Sequence, residues 1–400
     1  MKTRNQITID TFVVRPIVFC LNFIVRIVGK LTYIDHSLNK DFKRIVICKF
    51  KGMGSIIQAT PMLQGLKNKF PNAEITFLTT KSNEEIIRFF PFINNVIVVN
   101  DSSIFHSSLG ILYCVFKLIR KRPELFIDLE IYSNISTLVG IGSLSKNRIG
   151  YYTKSESFNL GIYTHSLFFN TTKPISEVYF QIVRLFHQEA IKPEIYNLSN
   201  HKEKELFSNP YIVINPNASD LRTERRWPKE KFIQIIEHLL LKYKTYNIIL
   251  IGSKAEQKYT EVIANQFKTK NVQSYAGKTT LQELITLISH AALLITNDTG
   301  PMHLGISCKI KIISMFGPCS PKQYGNQNNN ISIYKNLYCS PCVHDFKTAP
   351  CKGNNLCMQL IDNSLVEKAI EALLQNQAFS NFNTDTIYFT KNKTIGLVNL

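Results

Sequence analysis

A polar corner in the second half of the chain has the residue types of an anion site. The stretch ITNDTGPMHLG, residues 295–305, joins an apolar run to Asp298, Thr299 and Gly300 and then to an expected helix start. Asp and Thr cap helices well, glycine lets a backbone approach a ligand, and proline suits the first helical turn. N–H groups at a helix N-terminus bind anions. The corner therefore predicts an anion site with His303 in the first turn; a structural cap with a core-facing histidine is the alternative.

A second polar segment supplies arginines that suit the same anion. In NPNASDLRTERRWP, residues 215–228, Ser219 follows an expected strand, and Arg222, Arg225 and Arg226 precede the only tryptophan of the chain. The guanidinium fork matches phosphate oxygens, so arginines held over a cleft are good phosphate partners. Arginines that only decorate the surface are the alternative.

A glycine-rich turn follows the first expected strand. In KGMGSIIQATP, residues 51–61, Gly52 and Gly54 let the backbone turn tightly and leave N–H groups open to a ligand. The segment has neither the GxGxxG of a dinucleotide site nor the GK[ST] of a P-loop. It predicts a turn that lines a cleft, and a tight turn without a ligand is equally consistent.

Carboxylates follow another expected strand, in FIDLEIYSN, residues 126–134. Asp128 and Glu130 stand where that strand ends, and in an open parallel sheet this edge faces the ligand. A carboxylate that is partly desolvated there can act as a general base. Capping of the next helix is the alternative role.

Four of the nine cysteines lie close together in the sequence: Cys339, Cys342, Cys351 and Cys357, spaced C-x2-C-x8-C-x5-C. Such a set can hold a structural zinc ion or iron–sulfur cluster, with His344 as a substitute ligand, or form two disulfides. The spacing matches no single standard zinc site, so unligated packing thiols are a further alternative. A bound metal is expected to brace the loop and not to catalyse.

The elements that must hold these segments alternate between strand and helix. From residue 44, short β-rich runs such as RIVICKF alternate with amphipathic helical stretches, and the pattern restarts at residue 211 with YIVINPNA. This alternation is typical of parallel, doubly wound sheets. The predicted fold is therefore α/β, with two Rossmann-like domains, residues 44–195 and 205–375, facing each other across a cleft. The tail, residues 376–400, leaves a closing strand or helix open.

The charge of the chain favours a polyanionic partner. Lys and Arg number 47 against 29 acidic residues, a formal net charge of +18. Such an excess suits nucleic acid, an anionic lipid surface or a phosphorylated small molecule, and a basic solvated surface is the alternative. Several cysteines lie in or beside apolar segments, and the first apolar stretch has no small-residue cleavage site, which favours a reducing, cytoplasmic location.

The first apolar stretch, FVVRPIVFCLNFIVRIV, residues 12–28, has the phase of a helix that lies in a membrane interface. Arg15, Asn22 and Arg26 share one narrow stripe at helical spacing, and apolar side chains fill the rest of the surface. Residues 1–43 are therefore predicted to form an amphipathic, membrane-associating segment. Packing on the body of the protein is the alternative, and a transmembrane span is least favoured because the run is short and carries two arginines.

Together these motifs resemble glycosyltransferase family 9, the group that contains the ADP-heptose:lipopolysaccharide heptosyltransferases. The likeness covers most of residues 44–375 and rests on the glycine turn followed by TPML, on RRWP and, most specifically, on NDTGPMHLG. It implies a GT-B fold and an inverting, metal-independent transferase that uses a nucleotide-diphosphate sugar and needs no cofactor for catalysis.

The resemblance implies roles for the residues of the polar corner. Asp298 lies where the family holds the donor sugar, and Thr299 and Gly300 lie where backbone amides hold the diphosphate. His303 matches the histidine of the same motif, and Ser219 belongs to the donor-side loop.

Two positions depart from the family pattern. Arg225 stands where a lysine is common, which keeps the charge and changes the geometry. Ser55 stands where family heptosyltransferases usually carry the aspartate proposed as catalytic base, and a serine has no proton affinity to offer. Glu130 is the candidate replacement, because the fourth strand should end beside the first.

The resemblance therefore implies a glycosyltransferase that moves heptose or a related sugar to a lipopolysaccharide or other lipid-linked acceptor. The expected partners are the nucleotide-sugar donor, that acceptor and an anionic membrane, with no nucleic acid. The expected location is cytoplasmic, peripheral on the inner face of the cell membrane. A non-catalytic GT-B protein that binds nucleotide sugars, suggested by Ser55, and a sugar-nucleotide epimerase are the alternatives.

Overall fold

The structure, a computed structural model, describes residues 8–100, 104–131, 133–153, 161–218, 222–325, 330–343, 349, 351–375, 387–391 and 394–396. Contacts divide the chain into two compact units, Met1–Tyr196 and Asn197–Leu400. Each unit is built around its own sheet.

The first unit contains a six-stranded parallel sheet. Its strands are β1 (Arg44–Cys48), β2 (Glu74–Thr80), β3 (Asn95–Val99), β4 (Leu125–Asp128), β5 (Asn147–Tyr152) and β6 (His165–Phe168). They lie in the order β3-β2-β1-β4-β5-β6, which is that of a doubly wound fold. The central strands β1, β2 and β4 are buried almost throughout, as continuous apolar runs between two layers of helices should be.

Helices cover this sheet. They are α1 (Arg15–Thr32), α2 (Met53–Gln58), α3 (Thr60–Lys69), α4 (Lys81–Ile87), α5 (Ile104–Lys121), α6 (Asn134–Gly142) and α7 (Ile175–Arg184). α5 and α6 share one core cluster with the sheet, in which Leu118 and Val139 pack with Phe126. α3 packs against α7, where a Cβ at Gly65 would collide with Phe180.

The second unit repeats the plan. Its strands are β7 (Tyr211–Asn215), β8 (Asn247–Leu250), β9 (Val272–Ser274), β10 (Leu293–Asn297), β11 (Ile312–Phe316), β12 (Asn330–Tyr334), β13 (Ile387–Lys391) and β14 (Thr394–Gly396). The order is β9-β8-β7-β10-β11-β12-β13-β14. The first six strands are parallel, and β13 and β14 add an antiparallel edge.

The helices of the second unit are α8 (Lys229–Lys242), α9 (Gln257–Ala264), α10 (Leu281–Ser289), α11 (Gly300–Ser307), α12 (Pro321–Tyr324), α13 (Leu356–Gln359) and α14 (Asn363–Leu374). Single 3-10 turns occupy Leu198–His201, Thr223–Arg225 and Lys254–Glu256. The core of this unit includes Trp227, which packs edge-to-face on Phe232 at a centroid distance of 5.0 Å.

The N-terminal helix packs against the protein through part of its polar stripe and not through its apolar surface. Residues Asp10–Thr32 are long and apolar enough to cross a membrane, by length and composition. Asn22 is buried and accepts a hydrogen bond from Nε of Arg26 at 3.0 Å, so this part of the stripe faces the protein. Phe19 and Phe23 are 65% and 69% exposed. The helix thus packs on the body through a narrow stripe and leaves a broad apolar surface outside.

Two strands of the first sheet are not indicated by apolar patterning. β5 and β6 carry polar residues such as Asn147 and His165, and β6 is nowhere fully buried, as suits an edge strand. In the tail, β13 and β14 follow the closing-strand alternative.

Candidate active site

The polar corner lies at the carboxyl end of a central strand of the second sheet. β10 pairs with β7 on one side and with β11 on the other, and all of its residues are buried. Thr299 is extended (φ −149°, ψ −179°), and α11 begins at Gly300. Asp298 is 4% exposed. The expected arrangement of strand, polar corner and helix start is therefore present.

No side chain caps the start of α11, although a threonine stands at the cap position. Nδ2 of Asn215 donates to Oγ1 of Thr299 at 2.8 Å and to Oγ1 of Thr296 at 3.0 Å. The Thr299 hydroxyl is thus held by the neighbouring strand instead of turning back onto the helix. Because side chains normally satisfy the first amides of a helix, an uncapped start suits an anion.

Arg225 lies beside this corner. Its Nη1 lies 3.6 Å from Oδ2 of Asp298 and donates to the main-chain oxygen of Asp298 at 3.4 Å. Burial acts against its charge, but the neighbouring Cys319 and Asp298 outweigh burial and raise the pKa of Arg225, so the group stays a cation. In the part of the chain that the structure describes, Nε of Arg225 and Oδ2 of Asp298 are buried without a hydrogen-bond partner. A buried polar atom without a hydrogen bond destabilises the folded protein, so a bound ligand that supplies the missing hydrogen bonds would be favourable here.

His303 lies in the first turn of α11 and is 5% exposed. Burial, with the positive charge of Arg225, lowers the pKa of His303 to about 4 although Asp298 acts in the opposite direction. The imidazole is therefore neutral near pH 7. Its ring meets Tyr324 edge-to-face at a centroid distance of 6.0 Å. This is a packed histidine beside the corner.

A buried asparagine, to which no motif gave a role, fixes the arginine loop to the corner. Oδ1 of Asn297 accepts from the main-chain N–H of Trp227 at 3.1 Å, and its Nδ2 donates to the main-chain oxygen of Asn217 at 3.0 Å. Trp227 follows Arg225 by two residues, so Asn297 holds the segment that carries the guanidinium. The available signal was an asparagine at the end of an apolar strand.

The glycine turn and the carboxylates meet in the first unit, because β1 and β4 are neighbours and Cys48 pairs with Asp128. Gly52 has φ +90°, a conformation that favours glycine. Gly54 and Ser55 lie in the first turn of α2. The strand adjacency expected for Glu130 is therefore present.

Glu130 holds this turn in place. Its Oε1 accepts from the main-chain N–H groups of Phe50 at 2.7 Å and Lys51 at 2.9 Å. Its Oε2 lies 3.2 Å from Nζ of Lys49, and both side chains are less than a tenth exposed. Burial disfavours the charge of Lys49, but Glu130 outweighs it and raises the pKa of the ammonium. Glu130 thus forms a buried ion pair at the end of β4.

Asp128 lies deeper and is fully buried. Burial raises its pKa to about 7, although hydrogen bonds to its carboxylate act in the opposite direction. Tyr163 Oη donates to Oδ2 at 2.7 Å, and the N–H of Glu130 donates to Oδ1 at 2.9 Å. Asp128 therefore supports the segment that carries Glu130 and is not accessible itself.

The four cysteines of residues 339–357 do not form the metal site that their spacing allowed. All nine cysteines are free thiols. Among the described residues, no group of three or more His, Cys, Asp and Glu side chains could hold a metal ion. Burial, followed by smaller effects of the other thiols, raises the pKa of Cys357 to about 12 and also raises that of Cys342. A structural metal site and paired disulfides are therefore not supported, and the four cysteines of this segment are free thiols.

Two of the sequence-based candidates cannot be placed. Ser219 and His344 lie outside the described residues. The remaining candidates form two groups, one in each unit. The corner group is Arg225, Asp298, Thr299, Gly300 and His303, and the turn group is Gly52, Gly54, Ser55, Asp128 and Glu130.

Sequence comparisons point to one family. A family model described as glycosyltransferase family 9 (heptosyltransferase) matches residues 164–352. Lipooligosaccharide heptosyltransferase 2 of Campylobacter jejuni is 25% identical over 331 residues, 81% of this chain and 96% of that protein. Lipopolysaccharide heptosyltransferase 3 of Escherichia coli K12 is 27% identical over 281 residues, 66% of this chain and 79% of that protein.

Solved structures have the same fold. A glycosyltransferase family 9 protein from Veillonella parvula superposes with a TM-score of 0.69 at 21% identity, covering 86% of this chain and all of that one. The ADP-heptose lipopolysaccharide heptosyltransferase II of E. coli gives 0.67 at 19% identity, covering 84% and 100%. The prediction of two Rossmann-like α/β domains of the GT-B kind is confirmed.

Proposed function

We propose that this chain is a family 9 glycosyltransferase, which transfers a heptose or related sugar from a nucleotide-diphosphate sugar to a lipopolysaccharide-core acceptor. The observation that carries the proposal is the corner of the second unit. There a half-buried arginine and a carboxylate oxygen without a hydrogen-bond partner lie beside an uncapped helix start.

The corner suits the leaving group of the reaction. When a nucleoside diphosphate departs from an anomeric carbon, negative charge grows on its phosphate. The amides of Thr299 and Gly300, the dipole of α11 and the cation of Arg225 are fixed before the reaction and stabilise that charge. We propose that Asp298 orients the sugar through its carboxylate, of which Oδ2 has no hydrogen-bond partner among the described residues. We propose that this arrangement makes the transfer independent of a metal ion.

We propose Glu130 as the group that takes the proton of the acceptor hydroxyl. Asp128 is wholly buried, whereas the Glu130 side chain keeps 9% of its surface exposed at the glycine turn. Three donors already contact its carboxylate, so Glu130 also holds the turn that bears Ser55. Attack by the activated hydroxyl on the face opposite the leaving phosphate inverts the anomeric centre.

The relatives support one choice of donor and acceptor. Solved structures with this fold include the ADP-heptose lipopolysaccharide heptosyltransferase II of E. coli and another heptosyltransferase of E. coli with ADP. We propose an ADP-linked heptose as the donor and a core oligosaccharide on its lipid as the acceptor. The net charge of +18 and the exposed apolar surface of α1 support a peripheral position on the cytoplasmic face of an anionic membrane.

The proposal is tested by incubating the purified chain with ADP-heptose and a lipopolysaccharide core that lacks its outer heptoses. Mass spectrometry should detect one added heptose, and NMR should show an inverted anomeric configuration. Transfer should persist with a chelator present. The matched control Arg225→Met should lose transfer. Absence of any product from a core series, with intact protein, would contradict the proposal.

One observation favours a second candidate, a non-catalytic protein that binds nucleotide sugars. Ser55 has no acid–base capacity at the position of the family's base, and Glu130 is engaged in an ion pair. This candidate predicts that ADP-heptose binds with no transfer and no hydrolysis.

A further inference from the structure

The first unit carries a second exposed apolar helix face beside that of α1. On α5, the side chains of Leu112, Tyr113 and Phe116 are 66%, 53% and 56% exposed. Leu109 and Ile119 add 49% and 42%. Side chains this large are normally buried when they cluster along one helix, so a face of this kind marks an interaction surface.

α6 joins the two exposed faces. Val14 and Val18 at the start of the N-terminal helix pack on Leu138 and Ile141 of α6. On its other side, α6 shares a core cluster with α5 through Val139. The outer surfaces of the three helices therefore belong to one layer on the same unit.

The N-terminal helix is fastened to this layer by a buried carboxylate. Oδ1 of Asp10 accepts from the main-chain N–H groups of Asn134 at 2.8 Å and Ile135 at 3.1 Å, and Oδ2 accepts from Nδ2 of Asn134 at 2.8 Å. Asp10 thus caps α6 from a neighbouring element. These hydrogen bonds fix the start of the N-terminal helix against α6.

The charged side chains of these three helices are of one sign. α1, α5 and α6 contain no Asp or Glu. Nζ of Lys117 lies 4.5 Å from the ring centre of Tyr113, and the guanidinium of Arg120 lies 5.5 Å from that of Phe116. The two exposed aromatic rings that the structure describes on α5, those of Tyr113 and Phe116, are therefore each paired with a cation. Amphipathic aromatic rings and long basic side chains are the residues that occupy the headgroup region of a bilayer.

We propose that α5 is a second membrane-docking element, and that α1, α6 and α5 together bind an anionic lipid surface. Apolar side chains enter the boundary of the acyl chains, while Lys117 and Arg120 contact anionic headgroups. A second copy of this chain fits less well, because two basic faces without acidic partners repel each other. The inference extends the proposed membrane association and does not depend on sugar transfer.

Sedimentation with vesicles of equimolar phosphatidylglycerol and phosphatidylcholine tests the proposal on the full chain. The double variant Leu112→Glu/Phe116→Glu should partition about tenfold or more weakly than the unmodified chain, because two anchors are lost and two like charges are added. The matched control is Leu241→Glu, which changes a residue 75% exposed on α8 and should bind vesicles normally. Thermal unfolding of both variants should match that of the unmodified chain.

A charge variant gives an independent readout. Lys117→Glu/Arg120→Glu should weaken binding to the anionic vesicles while leaving the weaker binding to pure phosphatidylcholine unchanged. Normal vesicle binding by both α5 variants, or no vesicle binding by the unmodified chain, would overturn the proposal. So would a dimer of the unmodified chain that the Leu112→Glu/Phe116→Glu change converts to monomer. ADP-heptose binding, followed in parallel without vesicles, should be the same in all variants, which separates this proposal from the proposed function.

Discussion

The ion pair between Lys49 and Glu130 allows the structural and chemical roles of Glu130 to be separated. Glu130→Gln keeps an acceptor for the N–H groups of Phe50 and Lys51 but leaves the Lys49 ammonium, which is 6% exposed, without its carboxylate. Breaking one partner of a buried pair costs about 3–5 kcal/mol. For a unit of this size, 3 kcal/mol corresponds to a fall in melting temperature of roughly 6–12 °C.

The double variant Lys49→Met/Glu130→Gln removes both charges, and replacing a whole buried pair by neutral side chains is often close to neutral. We therefore expect the double variant to recover most of the lost stability. If Glu130 takes the acceptor proton, the single and double variants should both lose transfer by a factor of about a hundred or more while ADP-heptose still binds.

The two roles of Glu130 are separated by measuring three quantities on the unmodified chain and both variants. These are the melting temperature by calorimetry, the affinity for ADP-heptose and the rate of heptose transfer. A Glu130→Gln protein as stable as the unmodified chain would refute the stability reasoning. A double variant that is stable and transfers heptose at the normal rate would show that Glu130 serves only the turn.

Three further predictions concern the corner of the second unit. Asp298→Ala should lower kcat/KM for transfer by on the order of a hundredfold, because the sugar loses its orientation; near-normal kcat/KM would remove Asp298 from the site. His303 has a folded-state pKa of about 4 against an unfolded value of 6.5, so the unfolded chain binds the proton more tightly. The free energy of unfolding should therefore fall between about pH 6.5 and pH 4, by at most about 3 kcal/mol from this group, and urea titrations of His303→Gln should lack that contribution. Asn297→Ala leaves the N–H of Trp227 without its acceptor, which should cost about 1–3 kcal/mol of stability and raise KM for the donor; an unchanged KM would detach this asparagine from the arginine loop.

The sheet architecture could be predicted because central parallel strands are apolar along their whole length. Runs such as β1 and β10 are buried residue after residue, and the helices between them have a clear apolar face. The corner could be predicted for a related reason, since its cap residues directly follow such a strand. Edge strands such as β6 alternate too little and carry too many polar residues to be recognised in this way.

The adjacency of β1 and β4 was predicted, but individual side-chain contacts between residues far apart in the chain could not be. Lys49 and Glu130 are 81 residues apart, and only the adjacency of β1 and β4 brings their charges together. Asn297 meets the N–H of Trp227 for the same reason, from 70 residues away.

The N-terminal helix shows what periodicity alone leaves open. Helical spacing places Asn22 and Arg26 on one stripe, and the structure agrees with that spacing. Helical spacing does not determine whether the stripe faces the protein or the solvent. The hydrogen bond between the two side chains allows the stripe to pack against the protein, and the apolar majority of the helix surface remains outside.

The central claim, that the corner around Thr299 binds the diphosphate of an activated sugar, is tested most directly by a crystal structure with ADP-heptose bound. We predict that phosphate oxygens lie within hydrogen-bonding distance of the Gly300 amide and of the guanidinium of Arg225. Diphosphate bound elsewhere on the chain, with this corner empty or filled by the protein's own side chains, would contradict the account.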